Sequence, residues 1–119
     1  MTSVLHVDTI ADKAGTGPVG LTKQSAAKAW GNLNGTTFAV RDSFNASSVS
    51  DAGVGLYTYN FSSAFTDANY SPVSSGLRRV CGVVVASMAT TSCPVDIENT
   101  SATNADSDQT MSHFHGDLA

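Results

Sequence analysis

Residues 25–38, SAAKAWGNLNGTTF, set the only tryptophan of the chain, Trp30, between a run of small residues and an Asn-Gly pair. The fold class turns on whether this segment ends a helix or opens a β-hairpin. Asn34-Gly35 between apolar-containing segments is the strongest short-range hairpin signal, because a type I′ turn needs positive φ at both central residues. Ala26, Ala27 and Ala29 favour helix, which leaves one helical turn after Thr22 as the alternative. The hairpin has the better partner. In TTFAVRDSFN (36–45) Phe38, Val40 and Phe44 fall on one face and Ala39, Arg41, Ser43 and Asn45 on the other. That is period two, with Asp42 the one misfit on the apolar face. Trp30 is then expected at the edge of a β-sandwich or in its core.

The same periodicity runs on through the chain. LYTYNF (56–61) alternates Tyr57, Tyr59 and Phe61 against Leu56, Thr58 and Asn60. SVSDAGVG (48–55), between these two segments, reads as a turn-forming cluster whose glycines supply positive φ, so the two strands should form a meander. RRVCGVVVAS (78–87) is a continuous apolar run, as in a strand buried on both sides, and PVDIENT (94–100) and QTMSHFHG (109–116) are shorter candidates. With AKAWGNL (27–33) and ANYSPV (68–73) the total is about seven strands, the number of a small sandwich. Residues 1–24 differ: SVLHVDTI (3–10) can be extended, and ADKAGTGPVGL (11–21) breaks any regular element. The expected organisation is an N-terminal arm, 1–24, and an all-β, jelly-roll-like antiparallel sandwich, 25–119. No internal repeat is evident.

Composition narrows the function classes. The chain has 119 residues, of which 13% are charged, a net charge of −4, and six Lys and Arg. Only Arg78 and Arg79 are adjacent, so no basic stripe is present to neutralise phosphates, and nucleic acid is not an expected partner. MTSVLHVDTIADK lacks a positive n-region and a long apolar run, and no stretch approaches 18 apolar residues, so the expectation is synthesis in the cytoplasm without a membrane partner. Asn34, Asn45, Asn60, Asn69 and Asn99 begin Asn-x-Ser/Thr sequons, as a chain rich in Ser and Thr generates by chance. Cys81 and Cys93 match neither a zinc spacing nor a redox pair. They read as small buried or half-buried side chains or, in an oxidising compartment, as a disulfide across a hairpin turning near Ser87.

GTGPVG, with Gly15, Gly17 and Gly20 and with Asp42 about twenty residues on, spells a dinucleotide fingerprint. The mechanism needs a buried strand running into the first glycine and a helix after it; polar TIADKA precedes it and Pro18 deletes an N–H, so a flexible joint is the better reading. Ten carboxylates show no paired spacing, there is no G-x-S-x-G, and neither cysteine has a histidine nearby in sequence. The expectation is a protein that is not an enzyme and carries no cofactor. His113 and His115 sit two apart on a candidate strand and share a face, ordinary surface histidines or weak candidates for a metal site.

AKAWGNLNGT, VRDSFNASSVSDAGVGLYTYNF and FTDANY, within residues 26–70, resemble a domain that recurs in tailed-phage virion proteins: distal parts of tail fibres and tailspikes, and capsid cement proteins of cyanobacterial phages. VDTIADKAGTGPVGL resembles the lead-in to such domains and FHGD their ending; the likeness departs at His113 and His115, where they more often carry apolar residues. It implies a homotrimer, and on a three-fold axis three H-x-H pairs would offer six imidazoles to one metal ion. It also implies attachment to the particle without catalysis. A fibre needs a long shaft, and only a 24-residue arm precedes this sandwich, so the expected place is the outer capsid surface, as a decoration protein reinforcing the head with the major capsid protein as partner. Val4, Leu5, Val7 and Ile10 of the arm are the expected interface. The competing expectation is a receptor-binding domain of a tail fibre or tailspike that stacks host surface glycan on Trp30, Tyr57, Tyr59 and Tyr70.

Overall fold

The computed structural model describes residues 26–119 and is all-β: eight strands in two antiparallel four-stranded sheets. They are β1 (Ala29–Asn34), β2 (Ala39–Phe44), β3 (Ala46–Gly53), β4 (Leu56–Phe61), β5 (Ser71–Gly76), β6 (Val80–Val83), β7 (Ser92–Glu98) and β8 (Thr110–His115). The first sheet has the order β2-β1-β8-β5 and the second β3-β4-β7-β6. The arm, with Val4, Leu5, Val7, Ile10 and the glycines of GTGPVG, lies outside the described residues.

Alternation sets the core. From β4, Tyr57, Tyr59 and Phe61 point inward, and from β7, Cys93, Val95 and Ile97; Ala29, Leu33 and Phe114 meet them from the first sheet. Phe65 and Tyr70 close one end from the 62–70 connection. Phe61 stands edge-on to Phe65, Tyr70 and Phe114, with centroids 5.0, 5.7 and 5.1 Å apart. Each such pair adds about 0.5–1.5 kcal/mol to the burial of its rings.

Several expectations are corrected. SVSDAGVG is mostly strand, not turn: Val49 lies opposite Tyr59 and packs on the core, and the reversal is confined to Val54-Gly55, with Gly55 at φ +67°. The added strand raises the count from about seven to eight and places β2 and β4 in different sheets, so they form no meander. Between β2 and β3 the chain changes sheets at one residue, Asn45, at φ +53°. Its amide donates to Lys28 O (3.1 Å) and Ser63 O (3.0 Å) and accepts from Ser63 N (2.6 Å), which holds that corner.

The Asn34-Gly35 hairpin forms, but with the longer loop 35–38: Asn34 Oδ1 accepts from Thr37 N (3.1 Å), and Phe38 takes the positive φ. Gly35 is required because a Cβ there would strike the Tyr57 hydroxyl. RRVCGVVVAS is not buried on both sides. β6 is an edge strand, and the run leaves it through a 3-10 turn at Val85–Ser87. Finally, β1–β2, β3–β4 and β6–β7 are hairpins that stay within a sheet, unlike the sheet-to-sheet winding of a jelly roll.

The misfit Asp42 is explained by a bulge. Register passes from Asn32↔Asp42 to Leu33↔Val40, leaving Arg41 as the extra residue. Below it Val40 lies opposite Leu33, on the core side of the sheet but still 46% exposed; above it Asp42 and Phe44 face outward opposite Asn32 and Trp30. Arg41 fastens the kink by donating to Leu33 O (2.9 Å) and Asp108 O (2.7 Å). The β6–β7 hairpin pairs Cys81 with Ile97, not with Cys93, and both thiols are free. Burial pushes the Cys93 thiol up to about 11.

Candidate docking surface

In the first sheet β1, β8 and β5 turn alternate residues toward the core, and the residues between point outward. On β1 these are Trp30, Asn32 and Asn34; on β8, Met111, His113 and His115; on β5, Ser71, Val73 and Ser75. Register aligns them in rows. Trp30 lies opposite Phe44 on one side and His113 on the other, and His113 lies opposite Val73. The row Phe44–Trp30–His113–Val73 thus crosses the whole sheet, roughly 14 Å at the usual strand spacing. Phe44 is 55% and Val73 57% exposed, His113 is exposed and Trp30 half-buried. A second row, Asp42–Asn32–Met111–Ser75, flanks it with polar groups, and His115 lies opposite Ser71 on the other flank.

The opposite outer face has another character. There Asn60 donates to Ser48 Oγ (3.0 Å) and Ser50 Oγ (3.3 Å), and Thr58, Pro94, Asp96 and Glu98 complete a mainly polar surface. The aromatic row is a property of one face. It is an open sheet face and not a cavity, which suits a large partner better than an enclosed small molecule. The cavity at the Phe65, Tyr70 and Gly116 end, about 240 Å³ and flanked by Asp67 and Asp117, is smaller than the usual small-molecule site.

The expected aromatics divide. Trp30 is on the outer face, whereas Tyr57, Tyr59 and Tyr70 are core residues and present no ring to a sugar. Tyr57 Oη donates to Asp106 Oδ1 (2.9 Å), and Tyr70 Oη donates to the carbonyls of Ser92 (2.8 Å) and Ala89 (3.0 Å). Among the described residues the buried Tyr59 hydroxyl meets no partner in hydrogen-bonding geometry, and burial pushes it up to about 12. Burial first, and then Asp106, raise Tyr57 further.

His113 and His115 share the outer face as expected, and among the described residues no three His, Cys, Asp or Glu side chains converge on a point. Asp42 stands on the outer face of an antiparallel edge strand, away from any βαβ unit among the described residues. Phe44 and Val73 were missed as outward-facing partners of Trp30. The signal for Val73 was its place among small polar residues in SPVSSG; the signal for Phe44 was masked by the bulge.

The fold and this surface define a small antiparallel β-sandwich with one mainly polar outer face and one crossed by an aromatic row. No protein-family model, curated protein or solved structure matches the chain.

Proposed function

We propose that the protein is a non-enzymatic structural component of a tailed-phage virion, a homotrimeric cement protein seated on the outer surface of the head against the major capsid protein. The observation that carries the reading is the row Phe44–Trp30–His113–Val73, an aromatic and aliphatic strip held in register across one sheet. A rigid apolar strip with a polar margin has the anatomy of a protein–protein contact. The sequence resemblance at residues 26–70 supplies the kind of partner. Reinforcement by such a protein comes from many symmetric copies bridging neighbouring subunits, so each contact can be modest while their sum is large.

The test is the stability of particles with and without the protein. Particles lacking it should rupture at lower temperature or milder osmotic shock, and adding the purified chain should restore them. A receptor-binding role in a tail fibre is the second reading, favoured by exposed Phe44 beside half-buried Trp30 on the outer face, a pair able to stack on a sugar. Undiminished particle stability with lost adsorption to the host would select it.

A further inference from the structure

Among the described residues four strands have an open edge, β2 and β5 in the first sheet and β3 and β6 in the second. Natural sandwiches guard such edges with charges, prolines and bulges, because an open row of N–H and C=O groups invites another strand. Three of the four are guarded. β2 carries the Arg41 bulge and Asp42, and β3 is broken by register shifts at Ala46/Ser48 and at Asp51/Gly53. β5 has Pro72 opposite Phe114, whose carbonyl accepts from Lys28 N on the β1 side. Pro72 therefore turns its backbone to the open side, where it removes a donor.

β6 has none of these devices. It pairs with β7 without a shift, from Val80↔Glu98 to Val83↔Val95, and contains no proline and no charge. Val84 N donates to Pro94 O (3.1 Å), so alternation of the antiparallel ladder turns the N–H and C=O of Gly82 and Val80 to β7 as well. Those of Cys81 and Val83 point away from β7, and no backbone hydrogen bond from a described residue reaches them. The flanking apolar side chains are exposed, Val80 by 55% and Val85 by 72%.

We propose that this edge accepts residues 3–10, SVLHVDTI, of a neighbouring copy as an added antiparallel strand. The inference rests on the reading of the protein as a trimer, in which head-to-tail exchange among three copies closes a ring with every β6 edge filled. The segment lies outside the described residues and has the pattern the edge requires. Leu5 set opposite Val83 and Val7 opposite Cys81 brings their backbones onto the two open positions. It also extends the inward-facing side that Val83 and Cys81 present to the core. Asp8 then falls toward the Arg78 end of β6, and Arg78 is exposed with no hydrogen bond or ion pair to a described residue. Main-chain hydrogen bonds give such an addition its affinity, and alternate side chains its register.

Amide hydrogen exchange on the full chain tests this against two variants, deletion of residues 2–16 and Val83→Pro. At micromolar concentration the Cys81 and Val83 amides should exchange at least tenfold more slowly in the full chain than in the deletion variant, and dilution should remove the difference. Val83→Pro should keep the sandwich, since the lost N–H points away from β7, yet lose the protection at Cys81 and sediment as a smaller species. Equal exchange with and without the arm overturns the proposal; so does protection that survives dilution, which would mean that the chain's own arm fills the edge. A full chain of trimer mass with unprotected Cys81 and Val83 overturns the strand addition alone, and a monomeric full chain overturns the trimer as well.

Discussion

Asp106 joins three parts of the sandwich, and its replacement tests that joint quantitatively. Its Oδ1 accepts from Tyr57 Oη (2.9 Å) and from Gly55 N (2.8 Å) at the β3–β4 turn, while its carbonyl accepts from the Arg79 guanidinium (3.0 Å). Next to it Ala105 N donates to Ile97 O (2.9 Å), so the 99–109 connection is fixed to β7 by the same stretch. Asp106→Ala leaves the backbone bonds and removes both carboxylate bonds. A hydrogen bond to a charged group contributes about 1.5–3 kcal/mol, and Tyr57 is too buried for its hydroxyl to turn freely to solvent. Half-exposure of the carboxylate reduces the sum to about 2–3 kcal/mol, a fall in Tm on the order of 10–20 °C for a domain of this size. Asp106→Asn keeps an acceptor and should cost about 1 kcal/mol. Urea unfolding of both variants, with Tyr57→Phe to complete a double-mutant cycle, gives the numbers. Equal stability of Asp106→Ala and Asp106→Asn, or a coupling to Tyr57 below about 0.5 kcal/mol, would refute the assignment.

Gly31→Ala should destabilise by about 1–2 kcal/mol, because its Cβ would lie 2.5 Å from Tyr59 Cε1 in a core with no room to give; an unchanged urea midpoint would show that Tyr59 moves freely. Tyr57, Tyr59, Tyr70, Cys81 and Cys93 are all held above their ordinary values, mainly by burial. Their stabilisation is therefore complete below the unfolded values of about 9 for thiols and about 10 for phenols. It is lost as pH rises through the folded ones, so stability should be level from pH 7 to about 9 and fall from there toward 12, a slope that Tyr59→Phe reduces; a pH-independent urea midpoint up to 12 would contradict it. Phe44→Ser removes an exposed ring and should leave the urea midpoint within about 0.5 kcal/mol while weakening attachment to particles. A loss of stability comparable to that of a core residue would mean that Phe44 faces inward.

Strands with clean alternation were legible: LYTYNF corresponds to β4 residue for residue, and Asn34-Gly35 marks the first hairpin. Where reading failed, the cause was a local device that period two does not encode. The Arg41 bulge reverses the faces on either side of it, so a segment written as one apolar face sets Val40 on the side of Leu33 and Phe44 on the opposite, outer side. In β3 only Ala46 and Val49 pack on the core, which is all it needs from an edge strand, and the Ser, Asp and Gly composition reads as turn. The apolar run at 78–87 looked buried because hydropathy reports side chains and not whether a strand has a second neighbour. The outer-face row was the least legible part, since it exists only through register: Phe44, Trp30, His113 and Val73 are far apart in sequence and meet across four strands.

A three-dimensional density map of intact virions from the phage proposed to carry this chain tests the central proposal most directly. The account predicts trimers in many copies on the outer surface of the head, with the face bearing Phe44, Trp30, His113 and Val73 covered by capsid protein or a neighbouring copy. Density for the sandwich only at the tip of a tail fibre, or trimers on the head with that face open to solvent, would contradict it.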